Sequence, residues 1–255
     1  MAWKYEEASH TLHIFDTEVI TNRESVGYLE SLFDDDNQQP KNREELIKLV
    51  LHSGIQEIAP CVFAECDKLR SVLLPGSIER VGEDAFNGCI NLEEISLPDS
   101  LTRVESGTFS GCWNLQQIHI PKSIRIIASN AFAECYSLKR VSGCEGLEVI
   151  EAGAFYDCDS LKDIQLPSTL RRIASYAFGR CESLRAIVLP EGIQEIESDA
   201  FADIEHSLTV YVRSEKAFHI GENAFPEQVS LVVLDRETFQ KAWPSYADRI
   251  KQGKS

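Results

Sequence analysis

Apolar and polar positions follow one another along this chain in a pattern that returns every 23 residues. The clearest copy is the segment from Ile78 to Pro98, IERVGEDAFNGCINLEEISLP. Its first apolar position recurs at Ile55, Ile78, Leu101, Ile124, Leu147, Leu170 and Ile193, and its phenylalanine recurs at Phe63, Phe86, Phe109, Phe132, Phe155, Phe178 and Phe201. A unit this short cannot enclose its own apolar side chains. The sequence therefore predicts a solenoid whose coils stack so that like residues form columns.

Each unit predicts one strand and one turn. Ile95 and Leu97 alternate with Glu94 and Ser96, which is the period-two pattern of a half-buried strand. Stacked strands of this kind form a parallel sheet. The Ala-Phe-x-x-Cys-x-x-Leu stretch has three-residue spacing, which predicts a short helical or 3₁₀ turn on the opposite side. Proline ends strand pairing, and a proline follows the predicted strand at Pro75, Pro98, Pro121, Pro167 and Pro190.

Six of the eight cysteines occupy one position of the repeat. They are Cys66, Cys89, Cys112, Cys135, Cys158 and Cys181, and Ile204 takes the next slot. Neighbours in such a column lie about 5 Å apart, but their Cα–Cβ bonds run parallel, which is poor disulfide geometry. We expect buried thiols that pack as small hydrophobes. The chain has no Cys-x-x-Cys motif or Cys/His cluster, so no zinc site is expected.

These residues resemble the BspA-type leucine-rich repeat, whose motif runs LxxIxxxAFxxCxxLxxVxLP, over roughly residues 46–234. The resemblance implies an α/β fold, a right-handed curved solenoid with a parallel concave β-sheet and short helical or 3₁₀ turns on the other side. It also implies a scaffold that binds a macromolecule through the concave sheet. The resemblance says little about the identity of that macromolecule.

The aperiodic ends predict caps on the solenoid, in residues 1–45 and 235–255 around a repeat domain of residues 46–234. The alternation of Trp3, Tyr5, Leu12 and Ile14 predicts a β-hairpin, and residues 18–33 predict a short helix. Residues 34–40 form a predicted polar loop whose three aspartates lack the glycine and distal glutamate of a calcium loop. A helix is expected over residues 235–243, and residues 252–255 are expected to fray.

One unit departs from the template. Where the units on either side carry Ile120-Pro121 and Leu166-Pro167 at the end of the strand, the fourth carries Gly143 and Cys144. The exchange removes an inward side chain and the strand-ending proline. It is compatible with a local bend or entry point and also with drift in a single repeat.

The formal charge of −16 disfavours nucleic acid, because neutralising phosphates requires clustered Lys and Arg. A neutral or basic protein or peptide is the expected partner, although acidity also serves solubility. Neither a secretory leader nor an apolar run long enough for a membrane span is visible. We expect a cytoplasmic protein without membrane insertion; the alternative is a secreted or cell-surface protein whose leader is missing.

Candidate catalytic chemistry is sparse. The sequence has no Gly-rich phosphate loop and no G-x-S-x-G or H-E-x-x-H motif, and its six histidines are scattered. Cys158 beside Asp159 could suggest a nucleophile, but equivalent cysteines recur in five other units, which indicates packing. We therefore expect no enzymatic activity, no cofactor and no metal.

Candidate binding residues follow from the strand alternation, because residues flanking the inward positions point outward. One outward column is Lys48, Ser71, Glu94, Gln117, Arg140, Asp163, Ala186 and Thr209. The other is Val50, Leu73, Ser96, His119, Ser142, Gln165, Val188 and Tyr211. We expect partner contacts at Glu94, Ser96, Gln117, His119, Arg140, Ser142, Asp163, Gln165, Val188 and Tyr211. The alternatives are a merely solvated sheet, and an adhesin or host-interaction protein that uses the same face.

Overall fold

The computed structural model of the chain describes residues 2–15, 19–20, 45–212, 218–233 and 250–252. These residues wind into a parallel β-solenoid in which a typical turn gives one strand to each of two rows. The first row contains β2 (Thr11–Phe15), β4 (Lys48–Leu51), β6 (Ser71–Leu73), β8 (Glu94–Ile95), β10 (Gln117–Ile120), β12 (Arg140–Gly143), β14 (Asp163–Ile164), β16 (Ala186–Leu189), β18 (Thr209–Val212), β20 (Ser230–Val233) and β21 (Ile250–Gln252).

The second row contains two-residue strands, which the sequence analysis did not predict. They are β3 (Val19–Ile20), β5 (Glu57–Ile58), β7 (Arg80–Val81), β9 (Arg103–Val104), β11 (Ile126–Ile127), β13 (Val149–Ile150), β15 (Arg172–Ile173), β17 (Glu195–Ile196) and β19 (His219–Ile220). Pairing in both rows is parallel and mostly steps by one 23-residue unit, as in Gln117 opposite Arg140 and Arg140 opposite Asp163. Equal unit length therefore keeps equivalent residues in register.

The core consists of columns, as the repeat predicts. Eight phenylalanines from consecutive turns, Phe63, Phe86, Phe109, Phe132, Phe155, Phe178, Phe201 and Phe225, are buried and stacked. Neighbouring ring centroids are 5.2 to 5.8 Å apart. Stacked, offset rings at this spacing pack well and add to the free energy gained by burial.

The cysteine column lies beside the phenylalanines, and its thiols are reduced and buried. Each thiol from Cys89 onward donates a hydrogen bond to the phenylalanine carbonyl of the preceding turn, for example Cys135 Sγ to Phe109 O at 3.2 Å and Cys158 Sγ to Phe132 O at 3.2 Å. A thiol thus fills an apolar slot and also gives a buried carbonyl oxygen a second donor.

The predicted helical turns opposite the sheet are wrong. Within the described residues only the 3₁₀ turn Glu7–Ser9 and the single 3₁₀ residue Glu45 are helical, so "α/β" is too loose a class for this β-solenoid. In the second unit Asp84, Phe86 and Gly88 donate their N–H groups to the next turn, to Ser106, Thr108 and Ser110. Asp84 and Gly88 also have φ of 53° and 71°. Left-handed residues and outward-directed N–H groups are incompatible with a continuous helix.

The fourth unit keeps its strand despite the missing Leu-Pro. Gly143 and Cys144 have φ of 80° and 74°, and the Cys144 N–H donates to Ile120 O at 2.9 Å. The Cys144 side chain turns into the core in place of the one that glycine lacks. Burial raises the pKa of its thiol to about 12.

The ends of the solenoid differ in part from the prediction. β1 (Ala2–Glu6) and β2 form an antiparallel pair where a hairpin was predicted, and β2 pairs in parallel with β4. Val19–Ile20 forms strand β3 against β5 instead of belonging to the helix predicted over residues 18–33. Ile250–Gln252 pairs with β20, so Gln252 lies in a strand where fraying was predicted, and residues 253–255 lie outside the described residues. The rest of that helix, the polar loop of residues 34–40 and the helix predicted over residues 235–243 lie outside the described residues.

Candidate functional site

The two outward columns of the first row form one surface, which we call the first-row face. Its strands show alternating burial, with Ile118 and Ile120 buried and Gln117 and His119 exposed. The strand that follows continues the pattern with Arg140 exposed and Val141 buried. All ten predicted contact residues lie on this face. They are Glu94, Ser96, Gln117, His119, Arg140, Ser142, Asp163, Gln165, Val188 and Tyr211.

Charged residues in the middle of this face are unpaired. Gln117, Arg140 and Asp163 are neighbours in register across β10, β12 and β14. Nevertheless, among the described residues no ion pair within 4.0 Å involves Glu94, Arg140 or Asp163. In the second column His119 Nδ1 lies 3.3 Å from Ser142 Oγ.

The opposite situation holds on the second row. Its outward arginines are matched by carboxylates of nearby turns: Arg80 with Glu57 at 3.3 Å, Arg103 with Glu151, two turns further on, at 3.1 Å, and Arg172 with Glu195 at 3.3 Å and also with Glu197. The Glu197 carboxylate also accepts a hydrogen bond from Ser175 N at 2.9 Å. The second row therefore pairs its arginines within the molecule, while Glu94, Arg140 and Asp163 on the first-row face have no ion-pair partner within 4.0 Å among the described residues.

The C-terminal part of the first-row face is apolar. Val188 and Tyr211 are opposite each other across β16 and β18 and are 40% and 42% exposed. Leu73, at 51% the most exposed large apolar side chain described, lies nearer the N-terminal end. Exposed apolar and aromatic side chains are enriched in the cores of protein interfaces, and polar side chains form their rims.

Sequence reasoning missed one part of this surface and also an exposed aromatic pair that lies outside the two columns. Because β2 pairs with β4, Thr11 and His13 extend the two outward columns by one strand. A depression of about 560 Å³ lies at this end, lined in part by Thr11, Lys48, Ser71 and Glu94. Trp113, which is 44% exposed, stands just before β10 with its ring 5.9 Å from that of Tyr136. The sequence contains the information that predicts this pair, because Trp113 and Tyr136 each directly follow the repeating cysteine and so occupy equivalent positions in adjacent turns.

The described part of the chain also bears on metal binding and on membrane insertion. No group of three or more His, Cys, Asp or Glu side chains is placed there to hold a metal ion. Likewise, no helix among those residues is long and apolar enough to span a bilayer.

Stacked 23-residue coils, a parallel sheet and an in-register phenylalanine column define a leucine-rich repeat solenoid. The model of the BspA type leucine rich repeat region, in six copies, matches residues 41–162 and 148–238, and the chain belongs to this family. No curated protein sequence matches the chain.

One solved structure has a similar fold, and two further leucine-rich repeat structures align with lower scores. A leucine rich cell surface protein from Faecalibacterium prausnitzii has a TM-score of 0.55 and 23% identity, over 80% of this chain and 62% of that protein. A leucine-rich repeat protein from Bacteroides ovatus has a TM-score of 0.44 and 18% identity, over 98% and 74% of the two chains. The leucine rich repeat protein of T. pallidum has a TM-score of 0.47 and 20% identity, over 89% and 88%. The chain thus spans less than two thirds of the first of these proteins.

Proposed function

We propose that this leucine-rich repeat scaffold is a non-enzymatic recognition protein that binds another protein or peptide through the first-row face. The observation that carries the proposal is the contrast between the two rows. Arginines of the second row are paired with carboxylates, whereas Glu94, Arg140 and Asp163 face solvent without a charged partner. Inward columns hold one chemical type, while the outward columns change from turn to turn, as expected for a surface matched to a partner.

The proposed partner is neutral or basic. A formal charge of −16 raises the association rate with a positively charged surface and slows approach of an acidic one. Val188 and Tyr211 supply an apolar area that gains free energy on burial at an interface. Binding to a basic partner should weaken as salt is added, because salt screens these charges over about 10 Å at 0.1 M.

Affinity capture with matched variants tests the proposal. The wild type is compared with an Arg140→Ala/Asp163→Ala double variant and with an Arg80→Ala/Glu57→Ala double variant. Each double variant removes one positive and one negative charge, so net charge is unchanged. We expect the first double variant to lose the partners captured by the wild type and the second to retain them. Equal capture by all three proteins would exclude the first-row face as the binding surface.

A second candidate function, an adhesin or host-interaction protein at the cell surface, uses the same face in another compartment. Its support is the fold similarity to the leucine rich cell surface protein from Faecalibacterium prausnitzii. Antibody labelling of intact and of permeabilised cells decides between the two. Labelling of intact cells favours the adhesin, and labelling only after permeabilisation favours an intracellular recognition protein.

A further inference from the structure

The first row of strands ends in an edge at the N-terminal end of the solenoid. β1 is the last strand of the sheet that runs β1-β2-β4-β6-β8, and among the described residues no strand pairs with its outer side. Such an edge presents backbone donors and acceptors to a further strand. The sequence of β1, AWKYE, indicates which strand fits there.

The hydrogen bonds of β2 show which residues of β1 direct their backbone groups outward. Ile14 O accepts from His52 N at 3.1 Å, so Ile14 faces β4 and its neighbour His13 directs its N–H and C=O to β1. His13 is opposite Lys4. Lys4 therefore exchanges hydrogen bonds with β2, and the residues on either side of it direct their N–H and C=O to the outer edge.

Trp3 and Tyr5 are the two residues on either side of Lys4, and they lie at the end of the hydrophobic core. Their side chains are half-buried and pack against it. The outer edge of β1 thus combines outward backbone groups with aromatic rings that are still partly exposed. A further strand that brought its own aromatic side chains would satisfy both.

The polar side chains of β1 carry opposite charges. Lys4 and Glu6 alternate with the aromatic residues and so lie on the other side of the strand. Lys4 Nζ is 2.8 Å from Glu6 Oε1, and the two side chains are 64% and 42% exposed. A strand with one lysine and one glutamate on the same side is complementary in charge to an antiparallel copy of itself.

Three antiparallel registers bring the outward residues of two β1 strands opposite each other. Trp3 opposite Tyr5 puts Lys4 directly opposite Lys4 of the second copy, which is destabilising. Trp3 opposite Trp3 puts Lys4 opposite Ala2. Tyr5 opposite Tyr5 puts each Lys4 opposite Glu6 of the other copy, at the short spacing of a non-hydrogen-bonded pair. This last register combines two N–H···O bonds, an aromatic pair and two ion pairs.

We infer that two copies of this chain form a dimer by antiparallel pairing of their β1 strands, with Tyr5 at the twofold axis. The pairing uses the edge of both copies, so association stops at the dimer. The first-row faces of the two copies then belong to one continuous sheet. Glu6 also lines the depression at the N-terminal end of that face, so Lys4 of the second copy contributes to this depression.

Sedimentation equilibrium in about 0.15 M salt, with a reducing agent to prevent disulfide dimers, tests this inference. Salt at this concentration screens the repulsion between two chains of charge −16 beyond about 8 Å. The mass of the wild type should rise with concentration from 28.7 kDa to twice that value and no further. Lys4→Glu and Glu6→Lys each place like charges opposite each other, and each should weaken the dimer by about tenfold or more. An equimolar mixture of the two variants restores opposite charges and should associate as the wild type does.

A matched control separates this pairing from a change in net charge. Lys122→Glu changes the charge as Lys4→Glu does, at an exposed position that follows β10, and should dimerise as the wild type does. Circular dichroism verifies that every variant is folded. A mass of 28.7 kDa at all concentrations up to about 0.5 mM, a dimer that neither Lys4→Glu nor Glu6→Lys weakens, or a mixture that stays monomeric would overturn the inference. These variants leave Arg140 and Asp163 intact, so the result is independent of partner binding at those residues.

Discussion

At the scale of single residues, the buried cysteines explain why the repeat keeps a thiol at one position. Cys112, Cys135 and Cys158 are fully buried, and each thiol donates to the phenylalanine carbonyl of the preceding turn. Serine would add the cost of a buried hydroxyl, and alanine would leave a gap. Burial raises the pKa of all three thiols.

These raised pKa values predict that stability falls in alkaline solution. Below about pH 8.5, the pKa of an unperturbed cysteine, the thiol is neutral in both the folded and the unfolded chain. Above that pH the unfolded chain loses its thiol protons first, so the folded chain binds more protons and the unfolded state is favoured. We expect the guanidinium midpoint to be lower at pH 9.5 than at pH 7.5.

Alkylation isolates the thiols from the other groups that ionise at high pH. The chain has eight cysteines, and Cys61 alone is exposed. Iodoacetamide at pH 9 should therefore add one label to the native protein, at Cys61, and eight to the unfolded protein, as counted by mass spectrometry. Rapid labelling of Cys112, Cys135 or Cys158 in the native state would contradict their burial.

Tyr176 offers a second prediction at this scale. It has φ of 58° at a repeat position filled elsewhere by Asn130 and Gly153, which tolerate the left-handed region better. Tyr176→Asn should raise the free energy of unfolding by about 0.5–1 kcal/mol, because the left-handed conformation costs other residues roughly 1–2 kcal/mol. The reciprocal change Asn130→Tyr should lower it. Chemical denaturation measures both, and the opposite signs would show that side-chain contacts outweigh backbone strain here.

Sequence predicted the columns at the residue scale but not every contact between them. The 23-residue period fixes which residues are neighbours in successive turns, and it placed Phe86, Phe109 and Phe132 in one buried stack. It could not show which polar groups pair. His13 and His52 are 39 residues apart and belong to an aperiodic hairpin and the first coil, so no spacing rule relates them.

At the scale of elements, the first-row strands were predictable and the second-row strands were not. A strand such as Gln117–Ile120 has four residues, enough to show alternation. Arg80–Val81 has two, and no periodicity is visible in two residues. β21 was not predicted for the same reason, because its three residues are too few to show a period and lie in a charged tail. The helical turns predicted within the repeat are absent because three-residue spacing also fits turns in which every second N–H donates to the next coil.

The connection after β12 gives a prediction at this scale. A Cβ atom on Gly143 would overlap the carbonyl oxygen of Ile120, and φ there is 80°. Gly143→Ala should therefore lower the free energy of unfolding by about 1–3 kcal/mol. Gly76 is the matched control, because no atom lies within 4 Å of its Cβ position, and Gly76→Ala should change stability by less than about 0.5 kcal/mol. Chemical denaturation of Gly143→Ala and Gly76→Ala measures the difference. Equal midpoints would contradict the close approach of Gly143 to Ile120 in the preceding coil.

At the scale of the whole molecule, the same repetition that builds the core defines the surface. Consecutive coils contact mainly their neighbours, so stability is close to a sum over adjacent turns. The stack runs without interruption from Phe63 to Phe225. Inward columns accept little change because each side chain packs against its equivalents above and below. The outward columns of the first row carry no such constraint and can be matched to a partner.

The free energy of unfolding of two variants in adjacent turns tests this division most directly. Phe132 is fully buried between Phe109 and Phe155, and Gln117 is exposed on the first-row face. In chemical denaturation, Phe132→Ala should lose about 3–5 kcal/mol, while Gln117→Ala should change by less than about 0.5 kcal/mol. A loss for Gln117→Ala equal to or greater than that for Phe132→Ala would contradict the assignment of inward columns to stability and outward columns to binding.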